Sequence, residues 1–169
     1  MKKPLRKILA GLTGVLAVAG LTVANAPSAQ AAPQSTVAAQ GIVWEIWNNY
    51  NGLFLDADSG RNVYTYPRNN GTGQLWAERA GDRRSNVATG ECLNQSSWGG
   101  DVGTYPCSTL DTEKWVHESH PGGVVIRLRG FPYCLSSGDK PGPVPGSRLV
   151  TTEVCAPDKK QLWSVRAVF

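Results

Sequence analysis

The tripeptide Gln74-Leu75-Trp76 returns as Gln161-Leu162-Trp163, and Glu113-Lys114-Trp115 stands between them. The spacings are 39 residues from Trp76 to Trp115 and 48 from Trp115 to Trp163. Other landmarks keep the same order in each unit. Phe54-Leu55-Asp56, Cys92-Leu93-Asn94 and Cys134-Leu135-Ser136 align, as do Tyr66-Pro67-Arg68, Tyr105-Pro106-Cys107 and Glu153-Val154-Cys155. A unit of this size cannot bury its apolar face alone, but three stacked units can share a core. The repeat therefore predicts a single core holding Leu55, Leu93, Leu135, Trp76, Trp115 and Trp163. The residue two before each tryptophan is expected on the same side of a strand as the indole, because side chains alternate with period two. There it can brace a turn.

From Gly41 onward, short runs rich in Val, Tyr, Thr and Trp alternate with Gly, Asn, Asp, Ser and Pro. Such runs read as strands separated by turns, and no stretch keeps a helical period over three turns. The expectation is an all-β domain of about a dozen short strands. Its repeats span 42–80, 81–121 and 122–169. Residues 32–40 read as a disordered tail. Before them, Met1–Lys7 is basic, an apolar run follows, and Ala29 and Ala31 offer an A-x-A cleavage pattern, so residues 1–31 are read as a secretory signal peptide. A membrane anchor is the competing reading, since the run approaches the length of a bilayer span. The cleavage pattern and the polar stretch after it favour removal, and no membrane insertion is expected of the mature chain.

Removing the signal changes the charge balance. Four of the 17 basic residues lie in it and none of the 13 acidic ones does, which leaves 13 of each. A neutral domain lacks the basic footprint of a nucleic-acid binder. The four cysteines allow three pairings. The first unit has Phe54 and Arg68 where the others have cysteines, so both members of a pair are absent together. This argues for Cys92–Cys107 and Cys134–Cys155. There is no Cys-x-x-Cys, and His117 and His120 do not complete a zinc pattern. No metal or other cofactor is expected.

Three such units, with Gln-x-Trp and Cys-Leu-Asp-like motifs in register, resemble the ricin B-chain type lectin domain over essentially the whole mature chain. The resemblance implies a β-trefoil and a shallow sugar site in each competent unit. It implies an Asp two residues after the first cysteine position, an aromatic two before the second, and an Asn-Gln ahead of the Leu-Trp. In the first unit these positions hold Asp56, Tyr66 and Gln74, with Gly73 in place of the Asn and Asn70 nearby. A carboxylate accepts strong hydrogen bonds from vicinal hydroxyls, an aromatic face packs on a pyranose, and an amide both donates and accepts. The second unit offers Asn94, Tyr105 and Glu113 as weaker candidates, with Trp98 as a spare aromatic. The third, with Ser136 and Glu153, keeps only Gln161 and is expected to be silent.

The resemblance implies a secreted, non-catalytic protein whose partner is a glycan or polysaccharide, bound chiefly through the first repeat. A glycosidase would need two carboxylates flanking the scissile bond. Asp101, Asp111, Glu113 and Glu118 form no recognisable constellation, and neither G-x-S-x-G nor H-E-x-x-H occurs. The alternative is a trefoil that binds a protein partner, as a toxin-accessory subunit or inhibitor would, with Lys140–Gly146 as the surface to suspect.

Overall fold

A computed structural model describes residues 41–97 and 100–168. The signal peptide, the tail and Trp98 lie outside the described residues. Twelve strands form each third of the domain from four: β1 (Val43–Asn48), β2 (Phe54–Ala57), β3 (Val63–Tyr66) and β4 (Leu75–Arg79); β5 (Arg83–Asn86), β6 (Cys92–Gln95), β7 (Val102–Tyr105) and β8 (Trp115–His120); β9 (Gly123–Leu128), β10 (Tyr133–Pro141), β11 (Arg148–Val154) and β12 (Leu162–Val168). There is no α-helix among the described residues.

The outer strands of the three units make a barrel. β1 pairs antiparallel with both β4 and β12, β4 with β5, β8 with β9, and β9 with β12. Between β5 and β8 the wall is joined by the Trp115 N–H, which donates to the Asp82 carbonyl at 2.7 Å. The inner strands form three hairpins, β2–β3, β6–β7 and β10–β11. These hairpins touch pairwise around a ring: β11 pairs with β3, Asn62 bridges to Gly103, and Asp101 bridges to Thr151. The result is a β-trefoil, a six-stranded barrel under a triangular cap.

The core follows the repeat. Trp76, Trp115, Trp163, Leu55 and Leu135 have no exposed surface, and Leu93 only 1%. Each indole N–H donates at 3.0 Å to the carbonyl of its own unit's leucine, Leu55, Leu93 or Leu135. Opposite those leucines sit Thr65, Thr104 and Thr152, all buried. One core position breaks the pattern. Ile46 and Ile126 are buried in β1 and β9, and the equivalent place in β5 holds Arg84, itself only 6% exposed. Its guanidinium reaches the Arg83 carbonyl at 3.1 Å and Glu78 at 3.7 Å.

The residue ahead of each tryptophan departs from the expectation. Gln74, Glu113 and Gln161 do not lie on the strand but close a single 3-10 turn before it, over Thr72–Gln74, Asp111–Glu113 and Lys159–Gln161. They still point inward and are buried. The disulfides are Cys92–Cys107 and Cys134–Cys155, as the paired absence in the first unit suggested.

Candidate functional site

In the first unit, β2 carries Asp56 and the cross-strand partner of Asp56 is Tyr64 on β3. Asp56 is 5% exposed. Burial pushes its carboxyl above the usual range, while hydrogen bonds from Asn69 and Gln74 act the other way. Asn69 Nδ2 donates to Asp56 Oδ2 at 3.2 Å. Asn69, and not Asn70, is therefore the loop asparagine that reaches the carboxylate. Asn70 is exposed and turns the chain with φ +58°. Gly73 also has a physical reason. A Cβ there would stand 2.5 Å from Asp56 Oδ1 and 2.9 Å from the Ala57 carbonyl, so the Asp56 carboxylate occupies space that a larger residue would need.

Gln74 is committed to the loop. Its Oε1 accepts from the Asn69 N–H at 2.9 Å and its Nε2 donates to the Pro67 carbonyl at 3.0 Å. Gln161 repeats this with the Ala156 N–H at 2.9 Å and the Val154 carbonyl at 3.0 Å. Glu113 accepts from the Ser108 N–H at 2.8 Å and the Ser108 hydroxyl at 2.9 Å. All three side chains tie the turn to the loop after the preceding strand. Tyr66 ends β3 half-buried, with its ring edge-on to Tyr64. A side chain at Gly146, in the Pro-rich loop of the third unit, would come within 3.9 Å of the Tyr66 ring.

The second unit's three candidates converge on one depression. Asn94, Tyr105, Thr112 and Glu113 line a cleft of about 490 Å³, with Leu110 and Pro106 at its rim. Tyr105 is 38% exposed and Leu110 61%. Asn94 Nδ2 donates to Thr112 Oγ1 at 3.3 Å and to Glu113 Oε1 at 3.4 Å, which leaves its Oδ1 as an acceptor. Arg61, from the β2–β3 turn, places its guanidinium 5.5 Å above the Tyr105 ring and its Nε 3.2 Å from Glu91.

The third unit brings a different set together. Ser136 and Gln161 are buried and Glu153 is exposed. A Cβ on Gly138 would lie 3.4 Å from Lys160 Cδ, so the lysine chain lies across this part of the unit. Lys160 Nζ sits 5.5 Å above the Tyr50 ring, and the Tyr50 hydroxyl donates to Asp139 at 2.9 Å. No cluster of His, Cys, Asp or Glu that could hold a metal occurs among the described residues.

Comparison with curated protein sequences returns no match. Among solved structures, the chain superposes on a designed threefold-symmetric protein, ThreeFoil, with a TM-score of 0.63 at 19% identity, covering 73% of this chain and 96% of that one. It superposes on a ricin B-like lectin of Macrolepiota procera in complex with lactose with a TM-score of 0.62 at 16% identity, covering 75% and 96%. For the hemolytic lectin CEL-III the TM-score is 0.62 at 20% identity, with 74% of this chain matched to 30% of that longer one. At these identities the likeness shows the β-trefoil fold. Family membership rests on the sequence itself, where the ricin-type beta-trefoil lectin domain matches residues 43–163. The repeat, the barrel with its three hairpins and this match over most of the chain agree, and the chain belongs to the ricin-type beta-trefoil lectin family.

Proposed function

We propose that the protein is a secreted, non-catalytic carbohydrate-binding protein that holds glycans in its first two repeats. Family membership supports the class of ligand. Two disulfides fit an oxidising, extracellular setting. The observation that carries the reading is the cleft under Tyr105, where an exposed aromatic ring, an amide acceptor and a hydroxyl converge. A pyranose laid on Tyr105 buries its C–H face, while Asn94 and Thr112 meet its hydroxyls. In the first repeat, Asp56 held by Asn69 is the acceptor and Tyr66 the platform. Gln74 acts there by fixing the loop that carries Asn69. The third repeat is read as silent, because Ser136 and Glu153 replace the carboxylate and the aromatic and the Lys160 chain packs against Gly138. Sites this shallow bind weakly, at about −4 kcal/mol for millimolar affinity, and two on one molecule raise retention on a polysaccharide by avidity.

The test is a glycan array and a pull-down on insoluble polysaccharides with wild type, Asp56→Asn and Tyr105→Ala. Each variant is expected to weaken retention, by about tenfold or more, and the double variant to abolish it. Retention unchanged in both sinks this assignment of the sites. A folded, oxidised wild type that retains no glycan leaves the trefoil as a scaffold for a protein partner.

A further inference from the structure

A second cleft, of about 660 Å³, lies in the middle of the hairpin cap. All three repeats build it. Arg61 and Asn62 come from the first hairpin, Asp101 from the second, and Pro141, Pro143 and Leu149 from the third. Its walls are fixed by the Asn62–Gly103 and Asp101–Thr151 bridges and by the β3–β11 pairing. Ser96 and Tyr105 line this cleft and the smaller one alike. The two are therefore neighbours that meet at Ser96 and Tyr105, with the Arg61 guanidinium over the Tyr105 ring.

We propose that the protein reads a chain of neutral sugars, and that this central cleft receives the units that follow the one seated on Tyr105. The proposal rests on the second-repeat site described above. Apolar walls from Pro141, Pro143 and Leu149 suit the C–H faces of pyranoses. Asp101 is exposed and presents a carboxylate to vicinal hydroxyls. Asn62 Nδ2 is held by Asp58 at 3.0 Å, which leaves Asn62 Oδ1 as a second acceptor. The charge of Arg61 is already met by Glu91, so the cleft presents acceptors and no unmatched cation. That selects hydroxyl-rich, uncharged units over acidic ones. Because the walls are preformed, little ordering cost opposes binding.

The experiment is calorimetric titration of the whole protein with xylose, galactose and N-acetylglucosamine and with their β-1,4-linked di- to hexasaccharides. Wild type is compared with Asp101→Ala, which does not line the smaller cleft, and with Tyr105→Ala, each first shown to be folded by circular dichroism. For the series that binds, affinity is expected to climb beyond the disaccharide by about tenfold, or about 1.4 kcal/mol. Asp101→Ala is expected to erase that gain and to keep the monosaccharide affinity, whereas Tyr105→Ala loses the gain together with the second-repeat site and keeps only the monosaccharide binding of the first repeat. Equal affinity for mono- and hexasaccharide overturns the central cleft alone, as does a length gain that survives in Asp101→Ala. Absence of binding to every series overturns both this proposal and the lectin reading beneath it.

Discussion

Arg84 stands where the other two repeats place an isoleucine, and its cost is physical. Burial lowers its pKa, against the pull of Glu78 and Asp82, and its Nε has no hydrogen-bond partner among the described residues. Replacing a buried ion pair by apolar residues of similar bulk is often neutral or stabilising, by up to about 4 kcal/mol, and here the partner left behind, Glu78, is 42% exposed and keeps its water. Arg84→Ile is expected to raise the urea midpoint accordingly, and a lower midpoint would show that the guanidinium contributes more than it costs. The sequence does not mark Arg84, because the short basic run Asp82–Asn86 reads as a solvated loop, whereas Arg83–Asn86 form strand β5 with Arg84, Ser85 and Asn86 buried. The tryptophans were legible, since nothing but a shared interior explains their spacing. Asn69 was not, because Asn69 and Asn70 are equivalent in the sequence, and only the fold, with its left-handed turn at Asn70, shows which one reaches Asp56.

The turn before each core tryptophan is one device built twice from glutamine and once from glutamate. Gln74 and Gln161 each accept from an N–H five residues back and donate to a carbonyl seven residues back. Glu113 can only accept and takes two bonds from Ser108. Glu113→Gln retains the acceptor for the Ser108 N–H and can donate to Pro106, so stability should change by less than about 1 kcal/mol. Glu113→Leu strands that partly buried N–H and should cost about 1–3 kcal/mol. Equal urea midpoints for the two variants would show that the brace is dispensable. The sequence placed these residues inward but on a strand, because period-two alternation and a tight 3-10 turn both leave i and i−2 facing the interior. The third hairpin was less legible. Its extra length shows in the longer tryptophan spacing, yet nothing in the sequence marks the contacts that bring it against the first repeat, the pairing of β11 with β3 and the bonds between Thr65 and Ser137 and from Tyr50 to Asp139.

At the scale of the molecule, acid should loosen the barrel through His117. Burial, and then the Arg84 charge, pull its pKa from 6.5 down to about 4. The folded state therefore binds fewer protons than the unfolded chain between those values, and stability is full above pH 6.5 and falls as pH drops toward about 4. Wild type should lose stability to urea between pH 7.5 and 5, and His117→Gln should lose less over the same window. Parallel losses would place the acid sensitivity elsewhere. Asp56, with its raised pKa, works in the opposite sense, and what it contributes in acid fades as pH rises through its folded value.

The pairing of β1 with β12 runs over six consecutive residue pairs, from Val43–Val168 to Asn48–Trp163. The first strand to leave a ribosome or a translocation channel thus waits for the last before the barrel has a closed wall. Until then each strand is paired on one side only, β1 with β4 and β12 with β9, its other edge open to neighbouring chains, and contacts of such long sequence separation form slowly. Folding of this domain is a race between that final seam and aggregation. A chain that folds only after its last strand is free meets the race once, with all of its strands in hand.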